Sequence, residues 1–403
     1  MLSIVFRFII YIFVLLINIM RTLLLLFLPI FTFAQQTYVP DDSLETALIN
    51  LGYDNILDDS VLTSNITNVS SLDISYSGIA DLTGIEDFIS LTNLNCNNNL
   101  ISHLDVSNSL SLTDLNCSAN NIIVLDFTNN LLLSNVECYN NQITTLDISN
   151  NSGLTNLNCE NNLINSLDLS NAPGLVYLNC SDNELSSIIM SNNLYIFGFR
   201  CENNNLSTLD LSTVSVSFDL DCSFNQLTLL DLSGCYNLFT LNCSNNLLDS
   251  LDVSMLTSLF GLFCSENNLK ELDVSNNTFL IGLYCDKNEL HTLDISHGNL
   301  QNVTHNGWSY MFDVRTNPLN CIKVAATDLN WANSNLDYPA YINNTMYFSD
   351  SCISSPVNIE YQETNKNLVK IIDILGRETL ENSKEILFYI YDDGTIEKKF
   401  MTP

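Results

Sequence analysis

Positive charge is what this 403-residue chain has least of: 13 lysines and arginines stand against 45 aspartates and glutamates, a formal net charge of −32. A surface of that sign repels phosphate, which excludes nucleic-acid binding, and it disfavours docking on anionic lipid. Catalytic signatures are missing as well. No G-x-S-x-G, H-E-x-x-H or phosphate-binding loop occurs, and the four histidines (His103, His291, His297, His305) make no nucleophile and base pattern. The 13 cysteines include no C-x-x-C pair and no Cys/His cluster, so a tetrahedral metal site is not expected. Neither an enzyme nor a cofactor is expected.

What the chain does have is a period. Cys96, Cys117, Cys138, Cys159, Cys180, Cys201, Cys222, Cys243, Cys264 and Cys285 stand 21 residues apart, and an asparagine follows three residues after each, from Asn99, Asn120, Asn141, Asn162 and Asn183 to Asn288. The unit is L-x-x-L-x-C-x-x-N-x-[LI], complete in Leu154, Leu157, Cys159, Asn162 and Ile164. Over residues 91–300 it resembles the leucine-rich repeat family, in which each repeat contributes a short parallel strand and the asparagine side chain bonds the turn backbone. Each period also carries a second segment of the same kind, as in Ile143, Leu146, Asp147, Ile148 and Ser149. Two extended stretches per coil and little or no helix are therefore expected, because the linking residues are Asn, Ser and Thr, which favour turns. Mainly β architecture follows: a solenoid of 21-residue coils, roughly 50 Å long at ~4.8 Å per strand.

The ends read differently. Residues 1–34 are expected to be a signal peptide, with Met20 as an alternative start: Met20-Arg21-Thr22, the apolar run Leu23 to Phe33, and Thr32-Phe33-Ala34 before Gln35. The rival reading is a retained membrane anchor, since the whole stretch is long enough to span a bilayer. Residues 35–68, with Leu44, Ala47, Leu48 and Leu51 near helical spacing, suggest an N-terminal cap. Val69, Leu72, Ile74, Ile79 and Leu82 then resemble the early coils of internalin-type proteins, opening a solenoid over 69–316. Near its end the period slips by one, at Leu300, Val303 and His305.

Asn317-Pro318-Leu319-Asn320-Cys321 resembles the opening of the C-terminal cap of the same family, placed at 317–355. In a secreted protein the resemblance implies a Cys321–Cys352 disulfide, worth roughly 3 to 4 kcal/mol; Cys235 competes only if the cap folds far back. Residues 356–403 form a small β module. Ile371-Ile372-Asp373-Ile374-Leu375-Gly376-Arg377-Glu378 and Glu397-Lys398-Lys399-Phe400 resemble the sorting domain of Bacteroidetes type IX secretion substrates, although Phe388-Tyr389 replaces its usual Gly-[VI]-Tyr strand. The resemblance implies delivery by that secretion machinery to the outside or to the outer-membrane cell surface, with no membrane insertion after signal cleavage.

Three ladders are candidate functional positions. The cysteines share strand parity with the leucines and should form a buried column of free thiols. Asp105, Asp126, Asp147, Asp168, Asp210, Asp231, Asp252, Asp273 and Asp294, interrupted by Ile189, should face solvent. They either accept hydrogen bonds from their own turns or, at Asp210, Asp231, Asp252 and Asp273 in particular, bridge Ca²⁺. On the Cys-bearing strands the early outward positions are polar (Asn93, Asn95, Asp114, Asn116), whereas later ones carry Tyr177, Arg200, Phe263 and Tyr284 and the repeated Phe197, Phe218, Phe239 and Phe260, beside Gly198, Gly261 and Gly282. The four phenylalanines either stand exposed as a ladder or turn inward to fill the column's edge. The family resemblance implies binding or adhesion to a protein at the cell surface. The late aromatics keep a glycan partner open, and a purely structural envelope role is the third class.

Overall fold

The computed structural model of the chain describes residues 11–17, 35–190, 195–212, 214–297, 312–336, 342–352, 368–372, 386–391 and 396–400. They divide into two compact units, Met1–Asp350 and Ser351–Pro403.

In the larger unit the ten Cys-bearing strands, with one further strand at each end, make one all-parallel sheet of twelve strands, running in chain order from Ser71–Asp73 to Phe312–Asp313. Its register repeats the sequence period: Asn93, Asp114, Asn135, Asn156, Tyr177, Gly198, Asp219, Thr240, Gly261 and Gly282 pair in succession. One irregularity interrupts it, where Ile196 pairs with Val216 but Gly198 with Asp219. Alternation along each strand turns Leu115 and Cys117 inward, both at most 1% exposed, and leaves Asp114 and Asn116 outward. Stacked coils thereby bury one apolar column rather than a globular core, which is why the chain can be long without splitting into domains.

The turn after each cysteine has its own device. Asn162 Nδ2 donates to Cys138 O and Cys159 O, both at 3.1 Å, while its Oδ1 accepts from Ile143 N at 2.9 Å. Every ladder asparagine from Asn120 to Asn288 repeats this, joining two coils through one side chain. The residue before it is left-handed each time, at φ 51–56° from Asn98 through Asn161 and Phe224 to Lys287. A second, sparser set of strands lies on the other limb of the coils, among them Leu125–Asp126 with Leu146–Asp147 and Ser166–Asp168 with Ser187–Ile189.

At the N-terminal end the helix Asp42–Asn50 puts Leu44 and Leu48 into the column, capped by Asp41, whose Oδ1 accepts from Ser43 N and Leu44 N. The other oxygen of Asp41 accepts from Ala80 N and Asp81 N, tying the helix to the first coils. Buried Glu45 accepts three amides of the Asp-rich turn, Asp58 N, Asp59 N and Ser60 N. Gly84, at φ 104°, lies so close to the cap that a Cβ there would sit 2.7 Å from Tyr38 O.

At the other end Leu300, Val303 and His305 lie outside the described residues. Among the described ones the repeat roles reappear at Val314 and Asn317, 29 residues beyond Cys285 and Asn288. Asn317 Nδ2 bonds Cys285 O and Val314 O, and its Oδ1 accepts from Leu290 N. The residue that opens the sequence-read cap is thus also the last rung of the asparagine ladder. Beyond it Leu293–Asp294, Cys321–Lys323 and Tyr347–Ser349 form a parallel three-stranded sheet, with the helix Leu329–Asn335 between the last two.

The smaller unit contributes an antiparallel sheet of Leu368–Ile372, Ile386–Tyr391 and Ile396–Phe400. The Asp-x-Leu-Gly-Arg segment of the sorting-domain resemblance lies outside the described residues, as does the 1–34 segment except for a helical stretch over 11–17. Among the described residues no helix is long and apolar enough to cross a membrane.

Candidate functional site

The outward face of the twelve-stranded sheet changes chemistry along its length at a single repeat position, the residue entering each strand. In the early coils this position carries hydroxyls that donate one coil back: Thr92 to Ser70 O at 2.9 Å, Thr113 to Thr92 O at 2.9 Å, Ser134 to Thr113 O at 3.3 Å and Thr155 to Ser134 O at 2.9 Å. Val176 ends that run, and Phe197, Phe218, Phe239 and Phe260 follow. Their rings stack face to face, with centroids 4.7, 5.3 and 4.7 Å apart and planes within 12°. The strand spacing sets these separations, since a repeated side chain must meet its copy in the next coil. The phenylalanines neither fill the column nor stand free. They cover one another and stay partly exposed, Phe218 most at 42%.

The strand position next to this stack is small where a ring needs room. Tyr177 lies against Gly198, where a Cβ would come within 3.6 Å of its Cδ1, and meets Phe197 edge-on at 5.5 Å. Phe263 folds over Gly261, where a Cβ would sit 3.1 Å from its ring, and meets Tyr284 edge-on at 5.4 Å. Tyr177 is exposed, at 49%, while Phe263 and Tyr284 are half-buried. Around Gly198 the surface dips into a groove of about 550 Å³ whose lining includes Glu137, Asn158, Tyr177, Phe197, Phe218 and Asp219. Arg200 also lines it and is held by Asp219, with Nε at 3.2 Å and Nη2 at 3.1 Å.

Two carboxylates near this groove are poorly solvated. Burial pushes the pKa of Glu137 up against a hydrogen bond from Asn158. Glu202 is pushed to about 7, first by burial and then, despite a backbone hydrogen bond and Arg200, by Asp221 and Asp182. Its Oε2 is enclosed and has no hydrogen-bond partner. Sequence reading missed Glu202, because the same repeat position holds Ser181 and Ser223 in the adjacent coils.

The remaining ladders have structural settings. Each cysteine of the column is 0% exposed and free, and burial raises every thiol pKa, to about 12 at Cys159. Cys235 is likewise buried and free, whereas Cys321 and Cys352 are disulfide-bonded. Every ladder aspartate accepts from the backbone N–H two residues on: Asp210 from Ser212, Asp231 from Ser233, Asp252 from Ser254 and Asp273 from Ser275, each at 2.9 Å, and the others alike. Among the described residues the carboxylates of Asp42, Glu45 and Asp59 lie within 4.8 Å of one another, but Glu45 is already saturated by backbone amides.

Comparison with known proteins agrees with this geometry. No family model and no curated protein matches the sequence. Among solved structures, the functional domain of InlJ from Listeria monocytogenes, which includes a cysteine ladder, is 23% identical and aligns over 90% of this chain and 97% of its own with a TM-score of 0.52. The internalin InlF from the same organism is 20% identical over 78% of this chain and 96% of its own, at 0.60. A leucine-rich repeat protein from Leptospira interrogans is 18% identical over 71% and 73%, at 0.55. At these identities the likeness is one of fold: the chain is a leucine-rich repeat solenoid, mainly β, with parallel strands and little helix.

Proposed function

We propose that the chain is a non-catalytic binding module, exported to the cell surface, that takes a protein partner on the outward face of its Cys-bearing sheet. The observation that carries this reading is the groove at Gly198, lined by the partly exposed rings of Tyr177 and Phe218 where glycine keeps the strand position beside Tyr177 small. Exposed aromatic side chains on a rigid support are the usual energetic centres of protein interfaces, and strands hold them more firmly than loops would. The internalin-like fold supports a binding or adhesion role at the level of architecture. In this reading 35–68 and 317–355 close the ends of the 69–316 solenoid, and 356–403 hands the protein to a secretion apparatus.

A glycan is the second reading, favoured by the way Tyr177 and Phe263 lie against glycines, since an open ring face stacks on a sugar ring. The test is an array of surface proteins and glycans probed with the full chain and with Tyr177→Ala and Phe263→Ala. Protein signals that drop about tenfold with Tyr177→Ala support the proposal. Signals confined to glycans and lost with Phe263→Ala would transfer the function to the second reading, and a blank array would leave a structural envelope role.

A further inference from the structure

We infer that the Gly198 groove receives a basic segment of a partner protein, with the alkyl stem of one lysine or arginine lying on the Tyr177 ring and the cationic end of another, farther along the segment, at Glu137, two strands away. The inference rests on the protein-binding reading above and adds the chemistry of the partner.

The groove itself argues for a long, amphipathic side chain. Its lining joins the rings of Tyr177, Phe197 and Phe218 and the bare backbone of Gly198 to two carboxylates, Glu137 and Asp219, one guanidinium, Arg200, and the neutral amides of Asn156, Asn158 and Asn179. A lysine or arginine stem suits such a lining because it is apolar along its length, and its charged end is attracted both to ring faces and to a carboxylate.

The groove's own charges leave one carboxylate without a cation. Asp219 is engaged: it accepts Nε and Nη2 of Arg200, and its Oδ1 accepts from Thr240 Oγ1 at 2.6 Å. Glu137 faces the groove with an amide neighbour, Asn158, and burial raises its pKa. A half-buried anion whose charged form is disfavoured gains most from a cation arriving with the ligand.

Charge along the solenoid gives the same sign. Residues 91–300 hold 22 acidic side chains and three basic ones, Arg200, Lys270 and Lys287. Arg200 is paired with Asp219 and Lys287 with Glu266, so the long-range field is negative and steers basic segments toward the face. Acidic peptides and uronic or sulfated glycans are repelled. Neutral sugars would gain stacking but nothing from the charge.

The test is a peptide array probed with the full chain at about 150 mM salt, followed by titration of the best hit against its copies in which lysine is acetylated or arginine replaced by citrulline. Hits should be enriched in Lys and Arg, and neutralising the critical residue should weaken binding at least tenfold. Glu137→Gln and Tyr177→Ala should each weaken it about tenfold with unchanged melting curves. Asp147→Asn, the same loss of charge on the other limb of the coil, should stay within twofold. Equal weakening by Asp147→Asn and Glu137→Gln would overturn the inference, since it would mean non-specific attraction to net charge. Neutral or acidic hits that depend on Tyr177 would overturn it while leaving the protein-binding reading intact. An array without peptide hits would overturn the inference, and the protein-binding reading would fall with it only if the surface-protein array were also without protein signals.

Discussion

At the scale of single residues, side chains of similar appearance divide according to whether their polar atoms are satisfied. Asn162 uses both ends of its amide inside the column, so its loss leaves the Ile143 amide and the Cys138 and Cys159 carbonyls without their partner. Asn162→Ala should cost about 3 kcal/mol, as several buried groups go unpaired. Asn162→Asp should cost more, because a carboxylate keeps the acceptor but turns two donor contacts into repulsion. Urea unfolding of the two variants checks this, and equal losses would mean that only the contact with Ile143 matters. Glu202 is the opposite case, a carboxyl the fold does not satisfy. Its folded pKa of about 7 lies above the ordinary 4.5, so the folded state holds a proton that the unfolded state releases between those values. Stability is therefore lost as pH rises from about 4.5 to 7 and stays lost above. Glu202→Gln should be neutral at pH 4.5 and stabilising by about 1 kcal/mol at pH 8, a figure already discounted for the screening that a partly exposed group feels. A gain that does not grow with pH would show that the effect lies in packing.

At the scale of the coil, the demand that recurs most strictly is the left-handed residue before each ladder asparagine. Asn98, Asn140, Asn161, Asn203 and Asn245 meet it with a tolerant residue, but Phe224, Glu266 and Lys287 occupy the same conformation. Since a non-glycine residue without asparagine's local bonding pays roughly 1 kcal/mol there, Phe224→Asn should stabilise the protein by about that much in chemical denaturation. Phe224 is more than half exposed and sacrifices little packing. Asn-Asn pairs made this requirement half-visible in the sequence, and the exceptions hid it. The inward lanes were legible from Cys96 to Cys285, because burial keeps an apolar residue two places before each of those cysteines, and so was the outward Asp lane. The aromatic stack was not, because the residue entering a strand can turn either way and only the register shows that Phe197 meets Phe218. The final coil escaped for a related reason: Val314 takes the place of a ladder cysteine and eight extra residues precede it, so the period that revealed the other coils had nothing to match.

At the scale of the whole molecule, the question is what a charge of −32 does to a column whose aspartates recur once per coil. Two effects oppose one another. Neighbouring carboxylates repel, which raises their pKa, and turn hydrogen bonds hold the charged form, which lowers it. At seven rungs the second effect wins: Asp105, Asp126, Asp147, Asp210, Asp231, Asp252 and Asp273 lie below the ordinary value of 3.8, with the bonds from the serine or threonine two residues on outweighing the nearest aspartates. Asp294 falls to about 2 because, against burial, Lys323 and Ser296 donate to it. The local turn therefore wins over the array, and the sign of the pH response follows. These groups stabilise the fold above about pH 3.8, and that contribution is lost as pH falls through their lower folded values. The melting temperature should drop between pH 5 and pH 2.5 even though acid removes the repulsion. At pH 7 sodium chloride should raise it modestly by screening, and calcium at equal ionic strength should do no more, with EDTA producing no shift. If calcium instead raised the melting temperature by several degrees beyond sodium chloride, and Asp231→Asn with Asp252→Asn removed that excess, the aspartates would be bridging cations rather than closing their own turns.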